Sequence, residues 1–220
     1  GTNRIREIVL SLRNFSRLDE AGMKQVNLHE GIDNTLLILN SRLKRGIKVI
    51  KQYGDLPLVE CAPAQLNQVF MNLLCNAIDA IASRLPADTA SAVANANDAL
   101  KMGSGEEDTG NCSLSASPRH RVTVSSTIPT IWIRTEVANQ DWVIIKIADN
   151  GSGIPPAIKG RIFDPFFTTK EPGKGTGLGL AISYQIIIQH HGKIEVNSTP
   201  GQGTEFTITL PILEPNKPNR

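Results

Sequence analysis

The sequence predicts an α+β fold in which helices cover one face of a mainly antiparallel sheet. Apolar residues recur at helical spacing in several segments, and strand-like runs follow these segments in pairs. This order of one helix and one strand pair is repeated along a chain of 220 residues. Apolar residues make up 40% of the chain and charged residues 20%, a composition typical of a soluble globular protein.

Charge and cysteine content exclude several classes of protein. With 23 Lys and Arg against 21 Asp and Glu, the net charge is +2, which gives no general reason to expect a nucleic acid partner. No apolar run approaches the roughly 20 residues that span a bilayer. Three cysteines without a C-x-x-C pair argue against a disulfide framework or a zinc site. They favour a reducing compartment, so we expect a cytoplasmic location, whether or not a longer parent protein is anchored in a membrane.

The first predicted element is an amphipathic helix over residues 4–23. Ile5, Ile8, Leu12 and Phe15 recur every three or four positions, and charged residues occupy other faces. A single helix has no core of its own. We therefore expect it to pack on the following domain or on another chain.

Periodicity and turn residues predict the elements that follow. Asn27 with Glu30 has the spacing of a capping box, and Pro63 suits the first turn of a helix. The predicted elements are a helix to about residue 42, strands 47–53 and 56–61, a helix over 63–83, strands 130–139 and 142–149, a helix from 176–179 to about 191, and strands 193–198 and 204–212. Consecutive strands are expected to form hairpins.

Residues 84–128 differ in composition from their surroundings. They are rich in small and polar residues and cannot bury enough apolar surface to offset their chain entropy, so we predict a flexible insertion. The tail 214–220 is predicted to be disordered. The expected organisation is therefore a helix at 1–24 followed by one domain over 25–213, which without the insertion has about 150 residues, a common domain size.

The helix over 63–83 carries a polar stripe. Asn72, Asn76 and Asp79 follow spacings of four and three, so they share one face. Asn has poor helix propensity because its amide competes for backbone hydrogen bonds. Two interpretations are open at this point: a solvated face, or oxygen ligands for a hard cation such as Mg²⁺.

A second motif follows a strongly apolar strand. Asp149, Gly151 and Gly153 place a carboxylate at the mouth of the core, beside glycines that let a ligand approach the backbone. An ionised Asp only accepts hydrogen bonds, so it matches an exocyclic amine and disfavours a carbonyl oxygen. This chemistry would select adenine over guanine. The alternative is an ordinary turn at the end of a strand.

A third motif is rich in glycine and leads directly into a helix. Exposed N–H groups around Gly175, Gly177 and Gly179, together with a helix N-terminus, suit a phosphate group. The segment is not a Walker A loop, because Lys174 is followed by Gly. It also lacks the preceding strand of the dinucleotide fingerprint.

Three aromatic residues lie between the second and third motifs. Phe163, Phe166 and Phe167 cluster in a predicted loop. Such a loop can close over a ligand as a lid. Alternatively, the three rings form a small satellite core, and the two interpretations are compatible.

Taken in order, these motifs resemble those of the Bergerat-fold (GHKL) ATPases. Residues 72–79 resemble the N box, 149–153 the first glycine box and 163–167 the F box. Residues 175–179 resemble the second glycine box and 203–206 the final Gly-Thr element. The closest resemblance is to the sensor histidine kinases of two-component systems. It implies a Bergerat-fold α/β sandwich.

The resemblance also implies individual roles. Asn76 would coordinate Mg²⁺, and Asn72 lies one turn before it in the same catalytic box. Asp149 would bind adenine, with Thr204 supporting the base through water. Lys170 and Lys174 are candidate phosphate contacts. The implied ATP-binding residues are Asn72, Asn76, Asp79, Asp149, Gly151, Gly153, Ile154, Phe163, Thr168, Lys170, Lys174, Gly175, Thr176, Gly177, Leu178, Gly179 and Thr204.

The function implied by the resemblance is transfer of the γ-phosphoryl group of Mg-ATP to a histidine, for relay to a response regulator. The helix over 4–23 resembles the second helix of a dimerisation and phosphotransfer hairpin, so a homodimer is expected for a full-length kinase. The first helix, with the acceptor histidine, is not found in the sequence. None of its four histidines is expected to be the acceptor: His29, His120, His190 and His191. The alternatives are a hydrolysing clamp ATPase, an anti-sigma-type serine kinase and an ATP-sensing interaction module.

Overall fold

The computed structural model describes residues 22–44, 46–84, 128–139, 141–171 and 175–213. The elements in chain order are β1 (Lys24–Val26), α1 (Leu28–Ile38), α2 (Asn40–Leu43), β2 (Lys48–Tyr53), β3 (Val59–Cys61), α3 (Pro63–Arg84), β4 (Thr130–Asn139), β5 (Trp142–Asp149), α4 (Pro156–Lys159), α5 (Gly179–Gln189), β6 (Lys193–Thr199) and β7 (Gly203–Pro211). The predicted insertion, the tail and most of the predicted first helix lie outside the described residues. The last two residues of that predicted helix, Gly22 and Met23, are not helical.

The main sheet has five strands in the order β2-β4-β5-β7-β6. β2 pairs with β4 in parallel, and the other three pairs are antiparallel. The prediction of a mixed, mainly antiparallel sheet is therefore confirmed. The bounds predicted for β4 and β5 agree with those observed.

The predicted hairpin between strands 47–53 and 56–61 is wrong. The N–H of Gly54 donates to the carbonyl oxygen of Thr135 at 2.9 Å, so the chain leaving β2 continues along β4 and does not turn back. β3 is shorter than predicted and pairs with β1 in a separate two-stranded sheet. Its Glu60 N–H is bonded to the carbonyl oxygen of Ile212 at 2.8 Å.

A layer of helices packs against one face of the main sheet. α3 lies between α1 and α5 and contacts β5, while α5 contacts β6. Alternate residues of β5 point into this layer, and Val143, Ile145, Ile147 and Asp149 are all buried. The alternation places the carboxylate of Asp149 on the side of the sheet that the helices cover.

Asn27 is the N-cap of α1, as its position in the predicted capping box requires, but the course of two helices differs from the prediction. The N-cap Asn27 accepts a hydrogen bond from the N–H of His29, and its amide lies 3.4 Å from Glu30 Oε1. The helix expected to reach residue 42 is interrupted at Leu39, where ψ is 0°. The segment 150–175, expected to be a loop, contains the short helix α4.

Within the described parts of the chain, no helix is long and apolar enough to cross a bilayer.

Candidate functional site

A cavity of about 840 Å³ opens between α3, the segment after β5 and the start of α5. Its volume is that of a site for a small molecule or cofactor. The lining residues are Asn76, Ala77, Asp79, Ala80, Ala82, Ser83, Asp149, Ser152, Gly153, Ile154, Ile158, Ile162, Phe167, Thr168, Thr169, Lys170, Glu171, Gly175, Thr176, Gly177, Gly179, Leu180, Thr204 and Phe206. The cavity therefore combines apolar surface with convergent polar groups.

Asp149 is the buried carboxylate of the cavity. Its exposed fraction is 7%, and the N–H of Gly151 donates to its Oδ1 at 2.8 Å. Burial raises the pKa of Asp149 to about 6, while backbone hydrogen bonds from Gly151 and Thr204 act in the opposite direction. The carboxylate is fixed by its neighbours and has acceptor capacity left for a ligand.

Thr204 stands beside Asp149 because the two residues are register partners in β7 and β5. The hydroxyl of Thr204 lies 3.0 Å from that of Ser198, which also donates to the carbonyl oxygen of Gly203. Ser198 Oγ accepts a hydrogen bond from the N–H of Ile154 at 2.8 Å. Sequence reasoning missed Ser198, because a lone serine in a strand carries no spacing signal.

Two glycines let the segment after β5 approach its neighbours. A Cβ atom at Gly151 would lie 2.5 Å from the carbonyl carbon of Ala80 in α3. Gly153 has a φ of +70°, and a Cβ there would lie 2.2 Å from the carbonyl oxygen of Thr199. The N–H of Ser152 donates to the carbonyl oxygen of Ala80 at 3.0 Å. The glycines thus seat this segment between α3 and the β6–β7 turn.

The polar stripe of α3 divides into two parts. Asn76 and Asp79 line the cavity, whereas Asn72 does not. The side-chain amide of Asn72 donates to the carbonyl oxygen of Gly179 at 2.9 Å and lies 3.1 Å from Ser183 Oγ. Asn72 therefore joins α3 to α5, whereas Asn76 and Asp79 face the cavity.

Two basic side chains share the carboxylate of Asp79. Lys170 Nζ lies 2.5 Å from Asp79 Oδ2 and 3.3 Å from Asn76 Oδ1. Arg42, from α2, pairs with Asp79 Oδ1, and its Nη1 lies 3.3 Å from Cys75 Sγ. Sequence reasoning did not single out Arg42, because nothing in the sequence predicts a contact between α2 and α3.

The oxygens of Asn76 and Asp79 are the donors that could hold a magnesium ion. The structure already places a cation, the Lys170 ammonium, on both residues, so their donor set fits a positive charge. Mg²⁺ takes few protein ligands and completes its shell with water and phosphate oxygens. Among the described residues, no three His, Cys, Asp or Glu side chains form a cluster that could hold a metal ion by themselves.

The glycine-rich segment passes along the cavity before α5 begins. Gly175, Thr176 and Gly177 line the cavity, and α5 starts at Gly179. Gly177 has a φ of +68°, and a Cβ there would lie 2.4 Å from the carbonyl carbon of Phe166. Leu178 is buried in the core and does not line the cavity.

The aromatic loop has one ring in the cavity wall. Phe167 lines the cavity, and the Arg161 guanidinium lies 4.8 Å from its ring centroid. Phe163 packs against Tyr184 of α5, with ring centroids 5.5 Å apart. Phe166 is 62% exposed. Phe163 and Phe167 pack against the main hydrophobic core, so the three rings do not form a separate satellite core.

Most of the predicted site residues come together at this cavity. Those that line it are Asn76, Asp79, Asp149, Gly153, Ile154, Thr168, Lys170, Gly175, Thr176, Gly177, Gly179 and Thr204. The cavity is not lined by Asn72, Gly151, Phe163 or Leu178. Asn72 and Gly151 are nevertheless bonded to lining residues, Gly179 and Asp149. Lys174 lies outside the described residues. The sequence did not predict α4, so it also did not predict that Ile158 of this helix lines the cavity.

Residues 61–214 match the family model described as histidine kinase-, DNA gyrase B-, and HSP90-like ATPase. The chain belongs to this ATPase family. The match covers more than half of the chain and confirms both the Bergerat fold and an ATP-binding domain.

Curated relatives of this ATPase domain include sensor kinases. The histidine-protein kinase AtoS of Escherichia coli (strain K12) is 30% identical over 94% of this chain. The sensor kinase CckA of Brucella abortus (strain 2308) is 32% identical over 97% of it. The chain spans only 27% of the first and 20% of the second.

Solved structures of similar fold include a nucleotide-free catalytic domain of the histidine kinase ThkA. It has a TM-score of 0.59 and 25% sequence identity, over 87% of this chain and 98% of that one. Full-length ShkA in complex with AMPPNP has a TM-score of 0.66 at 20% identity, over 97% of this chain and 37% of that one. At that identity the second comparison shows the fold of the ATPase domain alone.

Proposed function

We propose that this chain is the ATP-binding catalytic domain of a sensor histidine kinase. It transfers the γ-phosphoryl group of Mg-ATP to a histidine on a dimerisation helix, for relay to the receiver domain of a response regulator in the cytoplasm. The observation that carries the proposal is one cavity that contains the buried carboxylate of Asp149 and also Asn76 and Asp79, with the Lys170 ammonium bound to these last two. The full-length kinase is proposed to be a homodimer.

Adenine recognition falls to Asp149. Its carboxylate accepts a hydrogen bond from the exocyclic amine of the base, and the N–H of Gly151 holds Oδ1 in place. Guanine presents a carbonyl oxygen where adenine carries this amine, so one buried acceptor would face another. The Thr204 hydroxyl, held by Ser198, provides a second polar group for water-mediated support of the base.

The phosphates are positioned by the other groups of the cavity. When bound, Mg²⁺ supplies charge neutralisation for the phosphate oxygens, and Asn76 and Asp79 would hold it. Backbone N–H groups of Gly175 and Gly177 and the N-terminus of α5 suit the phosphates. Lys170 and Lys174 are proposed as further phosphate contacts. Phosphoryl transfer depends mainly on such positioning, so no acid–base pair is required in the cavity.

The acceptor is proposed to be a histidine outside this sequence. His29 stacks on Tyr53 with a centroid distance of 4.1 Å, and its Nε2 lies 2.9 Å from Thr135 Oγ1. His190 is buried, and its Nε2 accepts from the N–H of Ala62. Neither ring lines the cavity. A phosphoryl group on either ring would disrupt these contacts.

The test is transfer of label from γ-labelled ATP to a separately supplied dimeric helical hairpin that carries an acceptor histidine. We expect slow labelling of the hairpin, because the effective concentration of a tethered acceptor is lost. The product should be acid-labile. Asn76→Ala should abolish labelling, and Asn197→Ala, at an exposed position of β6, should not.

The outcome separates the proposed function from its alternatives. An acid-stable product on serine would indicate a serine kinase, and rapid phosphate release without transfer would indicate a clamp-type ATPase. Tight ATP binding with neither reaction would indicate a sensing module.

A further inference from the structure

The ammonium group of Lys170 lies on the two side chains that the proposed function assigns to a metal ion. Its Nζ is 2.5 Å from Asp79 Oδ2 and 3.3 Å from Asn76 Oδ1. The other carboxylate oxygen of Asp79 is paired with Arg42. Each carboxylate oxygen of Asp79 therefore forms an ion pair with a basic side chain.

A magnesium ion on the same oxygens would compete with this ammonium group. Mg–O distances are about 2.1 Å, so an ion on Asp79 Oδ2 would lie within roughly 5 Å of the present position of Lys170 Nζ. Mg²⁺ also demands an octahedral shell of water and phosphate oxygens around itself. Two cations sharing these oxygens repel each other, and Lys170 must move for the metal to bind.

The position of Lys170 is linked to the glycine-rich segment. A Cβ at Gly175 would lie 3.2 Å from Lys170 Cδ, so this glycine packs directly on the lysine side chain. The backbone N–H of Lys170 donates a hydrogen bond of 3.1 Å to the side-chain hydroxyl of Thr168. Displacement of Lys170 therefore frees the surface on which the phosphate-binding segment rests.

We propose that Lys170 is a stand-in cation for the metal site. Its ammonium group holds Asn76 and Asp79 in place, leaves them when Mg-nucleotide binds, and then turns to the phosphates. Arg42 remains on Asp79 and keeps its charge compensated after the exchange. Lys170 is thus a positioning residue that couples metal binding to the phosphate-binding segment. This inference rests on the proposed function, because it requires Mg-ATP in this cavity.

The experiment measures ATP affinity calorimetrically with Mg²⁺ and with a chelator, in the unchanged chain and in Lys170→Gln. Without metal, the Lys170 ammonium is the positive charge on Asn76 and Asp79, beside the proposed phosphate position, so its loss should weaken ATP binding about tenfold. With Mg²⁺, the substitution removes a phosphate contact, which weakens binding, but it also removes the ammonium group that competes with the metal, which strengthens binding. These effects oppose each other, so the affinity for ATP should change less than about threefold. The ratio of the two dissociation constants, metal-free over Mg²⁺, should therefore rise.

Two further variants sharpen the result. Lys170→Arg keeps the positive charge and should return the ratio to that of the unchanged chain. Lys193→Gln, on an exposed lysine paired with Glu195, should leave both affinities unchanged. An unchanged or lower ratio in Lys170→Gln overturns the stand-in role and indicates a phosphate contact alone. If Mg²⁺ has no effect on ATP binding by the unchanged chain, the proposed metal site fails as well.

Discussion

The side-chain amide of Asn72 donates a hydrogen bond of 2.9 Å to the carbonyl oxygen of Gly179, the first residue of α5. The same amide lies 3.1 Å from Ser183 Oγ, one turn further along α5. A Cβ at Gly179 would lie 3.5 Å from Asn72 Cγ, so the two helices meet closely here. Asn72 thus fixes the start of α5, the helix that directly follows the proposed phosphate-binding segment.

Loss of this amide should cost stability. Asn72→Ala leaves the carbonyl of Gly179 without this donor and is expected to lower the free energy of unfolding by about 1–2 kcal/mol. Chemical denaturation measures the change. Gln68→Ala, on the same helix, is the control and should be near neutral. Equal effects of the two substitutions would show that the bond contributes little.

The isolated chain should hydrolyse ATP very slowly. Hydrolysis needs a general base near the attacking water, and the residue one turn before Asn76, the proposed metal ligand, is Asn72. An amide cannot take a proton from water at neutral pH. Phosphate release well below about one turnover per second is expected. Several turnovers per second would favour the clamp-type alternative.

Base selectivity should depend on Asp149. ATP is expected to bind about ten- to hundred-fold more tightly than GTP, because guanine leaves a buried acceptor unpaired. Asp149→Asn should weaken ATP binding and reduce this difference. Asp141→Asn, at an exposed position just before β5, should change neither affinity. Equal affinities of the unchanged chain for ATP and GTP would contradict the assignment.

Adenine binding should weaken in mild acid. The pKa of Asp149 is raised to about 6, and the ionised carboxylate is a much stronger acceptor for the exocyclic amine than the protonated acid. At pH 5 roughly one tenth of the groups are ionised, so affinity should fall by up to about tenfold between pH 7 and pH 5. Adenosine is the suitable probe, because it has no phosphate that titrates. In Asp149→Asn this pH dependence should disappear.

The same carboxylate should destabilise the fold at neutral pH. Its folded-state pKa, about 6, lies above the ordinary value of 3.8, so the folded chain binds more protons between these values. Stability attributable to Asp149 is therefore greatest in acid and is lost as the pH rises through this window. At pH 8, Asp149→Asn should raise the free energy of unfolding by about 1–3 kcal/mol. If Asp149→Asn raises the free energy of unfolding no more at pH 8 than at pH 4, the raised pKa of Asp149 is contradicted.

The two ends of the predicted insertion are held together by Asn150. Arg84 Nη1 donates to the carbonyl oxygen of Asn150 at 2.6 Å, and Asn150 Nδ2 donates to that of Ile128 at 2.8 Å. A short Gly and Ser linker in place of residues 85–127 should keep ATP affinity within about threefold and stability within about 1 kcal/mol. Binding and denaturation experiments measure both, and loss of folding would show a packing role for these residues.

The strands of the sheet were predictable to different extents. β4 and β5 alternate buried and partly exposed residues, so their periodicity predicts both their type and their bounds. Periodicity does not identify a strand's partner. β2 therefore looked like one arm of a hairpin, although Gly54 stays bonded to Thr135.

The site was predictable where its chemistry demands particular residue types. Glycines and the Asp149 carboxylate stand out in sequence because ligand approach and base recognition need them. Arg42 and Ser198 act through contacts between distant elements, and a lone arginine or serine gives no local sign of such a contact. The role of Asn72 as a bridge to α5 was hidden for the same reason.

The parallel pairing of β2 with β4 also affects the order in which the sheet assembles. Arg134 Nε donates to Gln52 Oε1 at 2.9 Å, across 82 residues of chain, whereas β4 to β7 are joined by shorter connections. Closing the longer loop costs more entropy before any contact compensates for it. The antiparallel strands should therefore form first, with β2 added late at the edge. Backbone amide protons in the hydrogen bonds between β2 and β4 should then exchange with solvent before those in the hydrogen bonds between β5 and β7.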